Sequence, residues 1–134
     1  MIGRSKESRD LVNIIIPAGL TSQFIFVAPV ACRVEHVDVD YDVAASVATT
    51  LSLRKIRADA VAPGAAAGPN VVELLVAPQS MQATARTRKR PALSAVAGAR
   101  DLRVGDKLAI LATGAGTALA GTVITLTLRK SNTH

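Results

Sequence analysis

Residues 34–43 read "VEHVDVDYDV", with Asp38, Asp40 and Asp42 at every second position. The spacing matches the start of a D-x-D-x-D calcium loop, in which a Gly at the sixth position makes the turn and a Glu at the twelfth closes the cage. Here those positions hold Val43 and Thr49, and the flanks carry no helical pattern. A β-strand accounts for the run directly. Successive side chains of a strand point to opposite faces, so Val37, Val39, Tyr41 and Val43 line one face and His36, Asp38, Asp40 and Asp42 the other.

The neighbouring run extends this reading. "TTLSLRKIR" (49–57) alternates in the same way, and "AASVA" between the two runs is short enough for a hairpin loop. A turn centred near Ser46 would set Asp38 opposite Arg54, Glu35 opposite Arg57 and Tyr41 opposite Leu51. Opposite charges facing across a ladder contribute roughly 0.2–1 kcal/mol each. The carboxylates thereby acquire local partners without a metal.

Outward from this pair, the same signals recur. "LVNIII" (11–16) stops at Pro17, a turn-rich "PAGLTSQ" leads to "FIFVA" (24–28), and Pro29 marks a bend before the Asp-rich strand. "ADAVAPGAAAGPN" (58–70) has the composition of a long, mobile connector. "VVELLVA" (71–77) ends at Pro78. "MQATARTRKR" (81–90) alternates and ends at Pro91, and "KLAILAT" (107–113) follows a Gly-Asp turn. "TVITLTLRK" (122–130) sends Ile124, Leu126 and Leu128 inward and Thr125, Thr127 and Arg129 outward. Seven or eight short strands with turns every ten to fifteen residues predict an all-β antiparallel sandwich, jelly-roll-like, over residues 11–134. Residues 1–10, "MIGRSKESRD", read as a mobile polar arm.

A chain of 134 residues fits one domain that needs no disulfide, and 49% hydrophobic residues exclude disorder. Phe24, Phe26 and Tyr41 are the only aromatics and 24 residues are Ala, so the core must be built from Val, Ile, Leu and Ala, a thin core that self-association would reinforce. Cys32 is alone, which rules out an intrachain disulfide and a Cys-based zinc site and reads as a small buried apolar residue. No secretory core precedes the domain, and no apolar run approaches the ~20 residues of a membrane span. Synthesis in a cytoplasm and no membrane partner follow as expectations.

Catalytic groups are scarce. His134 ends the sequence, and His36 lies on a polar strand face with no nucleophile tied to it. "GAGTALAG" (114–121) lacks the Lys-Ser/Thr ending of a phosphate loop and leads into a strand, so it reads as a hairpin loop. The reading is therefore of a non-enzyme with no catalytic residue, no metal and no cofactor. With a net charge of +6, the basic run "RTRKR" (86–90) is the strongest functional signal; it reads by default as a solvated strand end and, as a functional alternative, as a contact for an acidic partner, protein or nucleic acid. The lack of aromatic stacking platforms argues against nucleic acid and weakens a sugar-binding reading.

Across residues 24–130, "FVAPVACRVEHVDVDYDV", "TTLSLRK" and "DLRVGDKLAILATGAGTALAGTVITLTL" resemble the small head decoration, or cement, proteins of tailed bacteriophages. The resemblance implies a structural virion protein on the outer surface of the mature capsid. It would bind the major capsid protein, commonly as a homotrimer, and brace the shell against packaged DNA. Similar texture occurs in phage fibre and adhesin modules, so the alternative is a receptor- or glycan-binding module of a fibre or tail. On the cement reading, capsid contact is expected from Arg4, Lys6 and Arg9 and from Arg86, Arg88, Lys89 and Arg90. Self-association is expected from Leu108, Ala109, Ile110 and Leu111, because "KLAILAT" is apolar on both faces and must be central or covered.

Overall fold

The computed structural model describes residues 7–57, 61–65, 68–82, 84–114 and 116–131. Its strands are β1 (Glu7–Ala18), β2 (Gln23–Val27), β3 (Cys32–Asp40), β4 (Thr50–Ile56), β5 (Val71–Glu73), β6 (Gln79–Ser80), β7 (Asp101–Leu102), β8 (Lys107–Thr113) and β9 (Ala120–Ser131). All pair antiparallel, and no helix occurs among the described residues. One sheet runs β1-β9-β3-β7; the other runs β2-β8-β4-β5, with β6 also on β4.

The pairing is nested. β1 meets β9, β2 meets β8, β3 meets β7, and β4 meets β5 and β6. A long antiparallel ribbon folded into two facing sheets in this way is a jelly roll, so the expected all-β sandwich is the fold, with nine strands where seven or eight were expected. The hairpin expected between residues 36–43 and 49–57 does not form, because β3 and β4 lie in different sheets. Instead β3 runs along β9, matching Val34 to Leu128, Val37 to Leu126 and Val39 to Ile124, all buried. At about 25 cal/mol per Å² of apolar surface, placing both strands across one core outweighs a few cross-strand charge pairs worth well under 1 kcal/mol each.

The core takes Leu51 and Leu53 from β4 and Leu108 and Ile110 from β8, facing Val37, Val39, Ile124 and Leu126. Tyr41 and Met81 close it and are fully buried. Lys55, on the inward face of β4, is also buried; its Nζ donates to the Gly98 and Asp101 carbonyls at 2.6 and 2.9 Å. This tether ties the sandwich to the 98–106 turns, and burial pushes the Lys55 pKa down. Gly114 sits at φ +94 where a Cβ would run into the Ala48 carbonyl, so the β8–β9 connection requires glycine there.

Several local expectations shift. β1 continues through Pro17, and its ladder with β9 skips that residue, which an edge strand tolerates. The strand already starts at Glu7, so Arg9 and Asp10 belong to the sheet rather than to an arm, and the Asp10 carboxylate lies 2.7 Å from Lys130 Nζ. Arg4, Lys6 and His134 lie outside the described residues. The 58–70 connector is in part a cover, because Val61 and Ala65 pack on Ile56, Val71 and Ala109 against the outer side of the second sheet. Among the described residues of 81–90 there is no regular strand; Lys89 bridges to Val39, and Arg86 adopts a positive φ of 57°.

Candidate functional site

The Asp-rich strand and the basic run, singled out separately in the sequence, meet. The 86–90 segment lies against the end of β3, where Val39 and Lys89 exchange backbone hydrogen bonds of 2.8 Å and the Arg86 amide donates to the Tyr41 carbonyl. Asp38 accepts two hydrogen bonds from Arg90, at 2.7 and 3.1 Å, and Asp42 accepts one from Arg86 at 2.7 Å. The Asp40 carboxylate instead accepts from the Tyr41 amide at 2.8 Å. Lys89 donates to the Thr84 and Thr87 carbonyls and lies 4.2 Å from the Tyr41 ring centre, a cation–π contact. The Arg90 hydrogen bonds hold the Asp38 carboxyl below the usual carboxylate range and raise the Arg90 pKa; Asp42 raises that of Arg86 likewise.

Asp38 and Asp42 are thus met by tertiary partners. Asp38 pairs with Arg90 rather than Arg54; Arg54 pairs with Glu73, and Arg57 with Asp106. Among the described residues, no three His, Cys, Asp or Glu side chains converge as metal ligands. Around the β3 end an open cleft of about 480 Å³ is lined by Asp40, Asp42, Arg86, Arg88, Val123 and Thr125, among others. Gly121 forms part of its floor, at φ +67, where a Cβ would meet Asp42. This cleft offers alternating donors and acceptors beside an apolar strip, a surface for hydrogen bonding with no reactive constellation.

Of the residues expected to contact a capsid, Arg9, Arg86, Lys89 and Arg90 are all engaged within the chain, and Arg88 is exposed. Of those expected to mediate self-association, Leu108, Ala109 and Ile110 are fully buried inside the monomer and Leu111 is half-buried. β8 is apolar on both faces because the core takes one and the 61–65 cover takes Ala109 on the other. Cys32 is buried as expected, and burial raises its thiol pKa.

Sequence reasoning missed a second basic region. A cleft of about 580 Å³ is lined by Arg33, Arg57, Asp101, Arg103 and Arg129, among others. A neighbouring one of about 330 Å³ shares Arg33 and Arg129 and adds Glu35, His36 and Arg100. These arginines come from β3, β4's end, the 98–103 turn and β9, so no linear cluster announces them.

No protein-family model matches this chain, and no curated protein matches it. Among solved structures, a Bacillus endospore appendage, from a family of disulfide-linked pili, is similar over 98% of this chain and 93% of that chain, with 14% identity and a TM-score of 0.47. That likeness is too distant to carry an argument about assembly.

Proposed function

We propose that the chain is a structural virion protein that binds the outer surface of a mature phage capsid and stabilises it, as a homotrimer. The observation that carries this reading is the outer face of the first sheet, which none of the described residues covers. On edge strand β1, Leu11 and Ile15 are 69% and 70% exposed, beside the Thr125 and Asn13 pair. Such a face suits attachment by broad contact, the mode that decoration requires, and the chain's resources are spent on a rigid scaffold behind it. The cleft at the β3 end favours the second reading, a receptor- or glycan-binding fibre or tail module, since its Asp, Arg and Thr lining suits a polyhydroxylated ligand.

Co-sedimentation with capsids from the encoding source, expanded and unexpanded, tests the first reading. Saturable, many-copy binding to expanded heads that is lost in Leu11→Glu/Ile15→Glu is expected. Absence of binding to either form overturns it and turns attention to ligands for the β3 cleft. Deleting residues 1–6 removes Arg4 and Lys6 without entering β1, and unchanged occupancy would remove them from the docking surface.

A further inference from the structure

Across three adjacent strands, Arg9 of β1 is in register with Arg129 of β9, and Arg129 with Arg33 of β3. Residues directly opposite share a face, so three guanidinium groups stand in one row, an arrangement that costs energy unless anions intervene. Among the described residues, the Glu35 carboxylate intervenes. A β-bulge between Val34 and His36 inserts Glu35, whose Oε1 lies 2.6 Å from Arg9 Nε and whose Oε2 lies 2.5 Å from Arg129. Bulges re-aim side chains in this way. The Arg9 hydrogen bond and the Arg129 charge hold the Glu35 pKa down.

Arg33 is left incompletely matched. Its nearest carboxylate, Asp101, is 3.9 Å away, and both side chains are half-exposed. Arg100 and Arg103, which line the two clefts on either side of Arg33, make no ion pair among the described residues. Among the described residues, Arg33, Arg100 and Arg103 thus share the 3.9 Å contact to Asp101 as their one carboxylate pairing, beside the Arg9, Glu35 and Arg129 cluster. By contrast Arg54, Arg86 and Arg90, away from the clefts, and Arg57, within the larger one, each pair with a carboxylate at 3.0 Å or less.

We infer that this paired cleft is a binding site for an acidic protein segment, whose Asp or Glu carboxylates complete the pairing of Arg33, Arg100 and Arg103. Guanidinium forks match carboxylates two bonds at a time, and such charge-assisted bonds are the strong ones. Two features favour a peptide over nucleic acid. No Phe, Tyr or Trp lines either cleft to stack a base, and Glu35 and Asp101 stand where a continuous phosphate chain would be repelled. The row continues the uncovered face of the first sheet, so the inference deepens the docking reading and rests on it for the partner's identity, though not for the site.

The test is titration of fluorescently labelled hexaglutamate at low salt, followed by anisotropy, in parallel with hexathymidylate. The wild-type chain is expected to bind hexaglutamate, and Arg33→Gln/Arg100→Gln/Arg103→Gln to weaken it about tenfold or more, with an unchanged melting temperature. The single variant Arg103→Gln, at an exposed site, serves if the triple variant does not fold. No binding, binding that the triple variant leaves intact, or a loss caused instead by Arg88→Gln would each overturn the site. Tighter, cleft-dependent binding of hexathymidylate would overturn the choice of a protein ligand. If hexaglutamate binding depends on the cleft but capsids are not bound, the site stands and the capsid reading falls. If capsids bind the triple variant as well as wild type, docking does not use the cleft and this inference falls alone.

Discussion

Ile15 and Ile56 point away from the sandwich core on opposite sheets, yet Ile15 is 70% exposed and Ile56 is fully buried. The difference is made by a loop. Over the second sheet, Val61 and Ala65 cover Ile56, Val71 and Ala109, and the Arg54 guanidinium fastens that cover by donating to the Ala65 carbonyl while holding Glu73. Over the first sheet no such cover is seen among the described residues, and polar pairs and rows of charge spread across it. A jelly roll needs only one core, so what happens on its two outer faces is free to diverge. Here one outer face is covered and the other is left open by the described residues.

That contrast can be broken most forcefully at Ile56. Ile56→Ala should destabilise the fold by about 2–5 kcal/mol in denaturant melts, as for a core isoleucine; a loss near zero would mean the cover is not a second core. Arg54→Ala removes the fastening and should cost about 2 kcal/mol, since the side chain is largely buried and Glu73 loses its partner. Limited proteolysis within 58–70 should accelerate in the same variant.

On the first sheet the expected effects are smaller. Asp38 and Glu35 have folded pKa values depressed by Arg90 and Arg9, so as pH falls the unfolded chain takes up these protons first. Their stabilisation is complete above the usual carboxylate range and is lost as pH drops through the lower, folded values. Asp38→Asn should therefore give a modest drop in melting temperature at neutral pH and a shallower acid limb; an acid limb as steep as wild type would disconnect Asp38 from acid stability. Ile15→Ala should change stability by no more than about 0.5 kcal/mol. A loss comparable to that of Ile56→Ala would show that the two faces are not different after all.

The alternation in 36–41, 107–113 and 122–130 was legible because a strand's period of two is local, and so the inward set Val37, Val39 and Tyr41 could be read residue by residue. Val43 broke the pattern, at 44% exposure, because the strand ends at Asp40. Partner choice was not legible. Asp38 and Arg54 looked matched along the chain, but each found its carboxylate or guanidinium 52 and 19 residues away. Two of the four cations in the conspicuous "RTRKR" are paired by Asp42 and Asp38, whereas the less satisfied arginines at 33, 100 and 103 are scattered along the chain and form no run.

By itself, the sequence determined the strand class of this protein, the inward residues of its main strands, the burial of Cys32 and a core of aliphatic side chains, because each follows from local periodicity and composition. Only the tertiary structure decided that β3 and β4 occupy opposite sheets, that β8 is buried on both sides within one chain, and that three arginines from three strands share a row. Those outcomes depend on which distant surfaces exclude water from one another. A short-range charge pair worth a fraction of a kcal/mol cannot set them against the burial of a whole core.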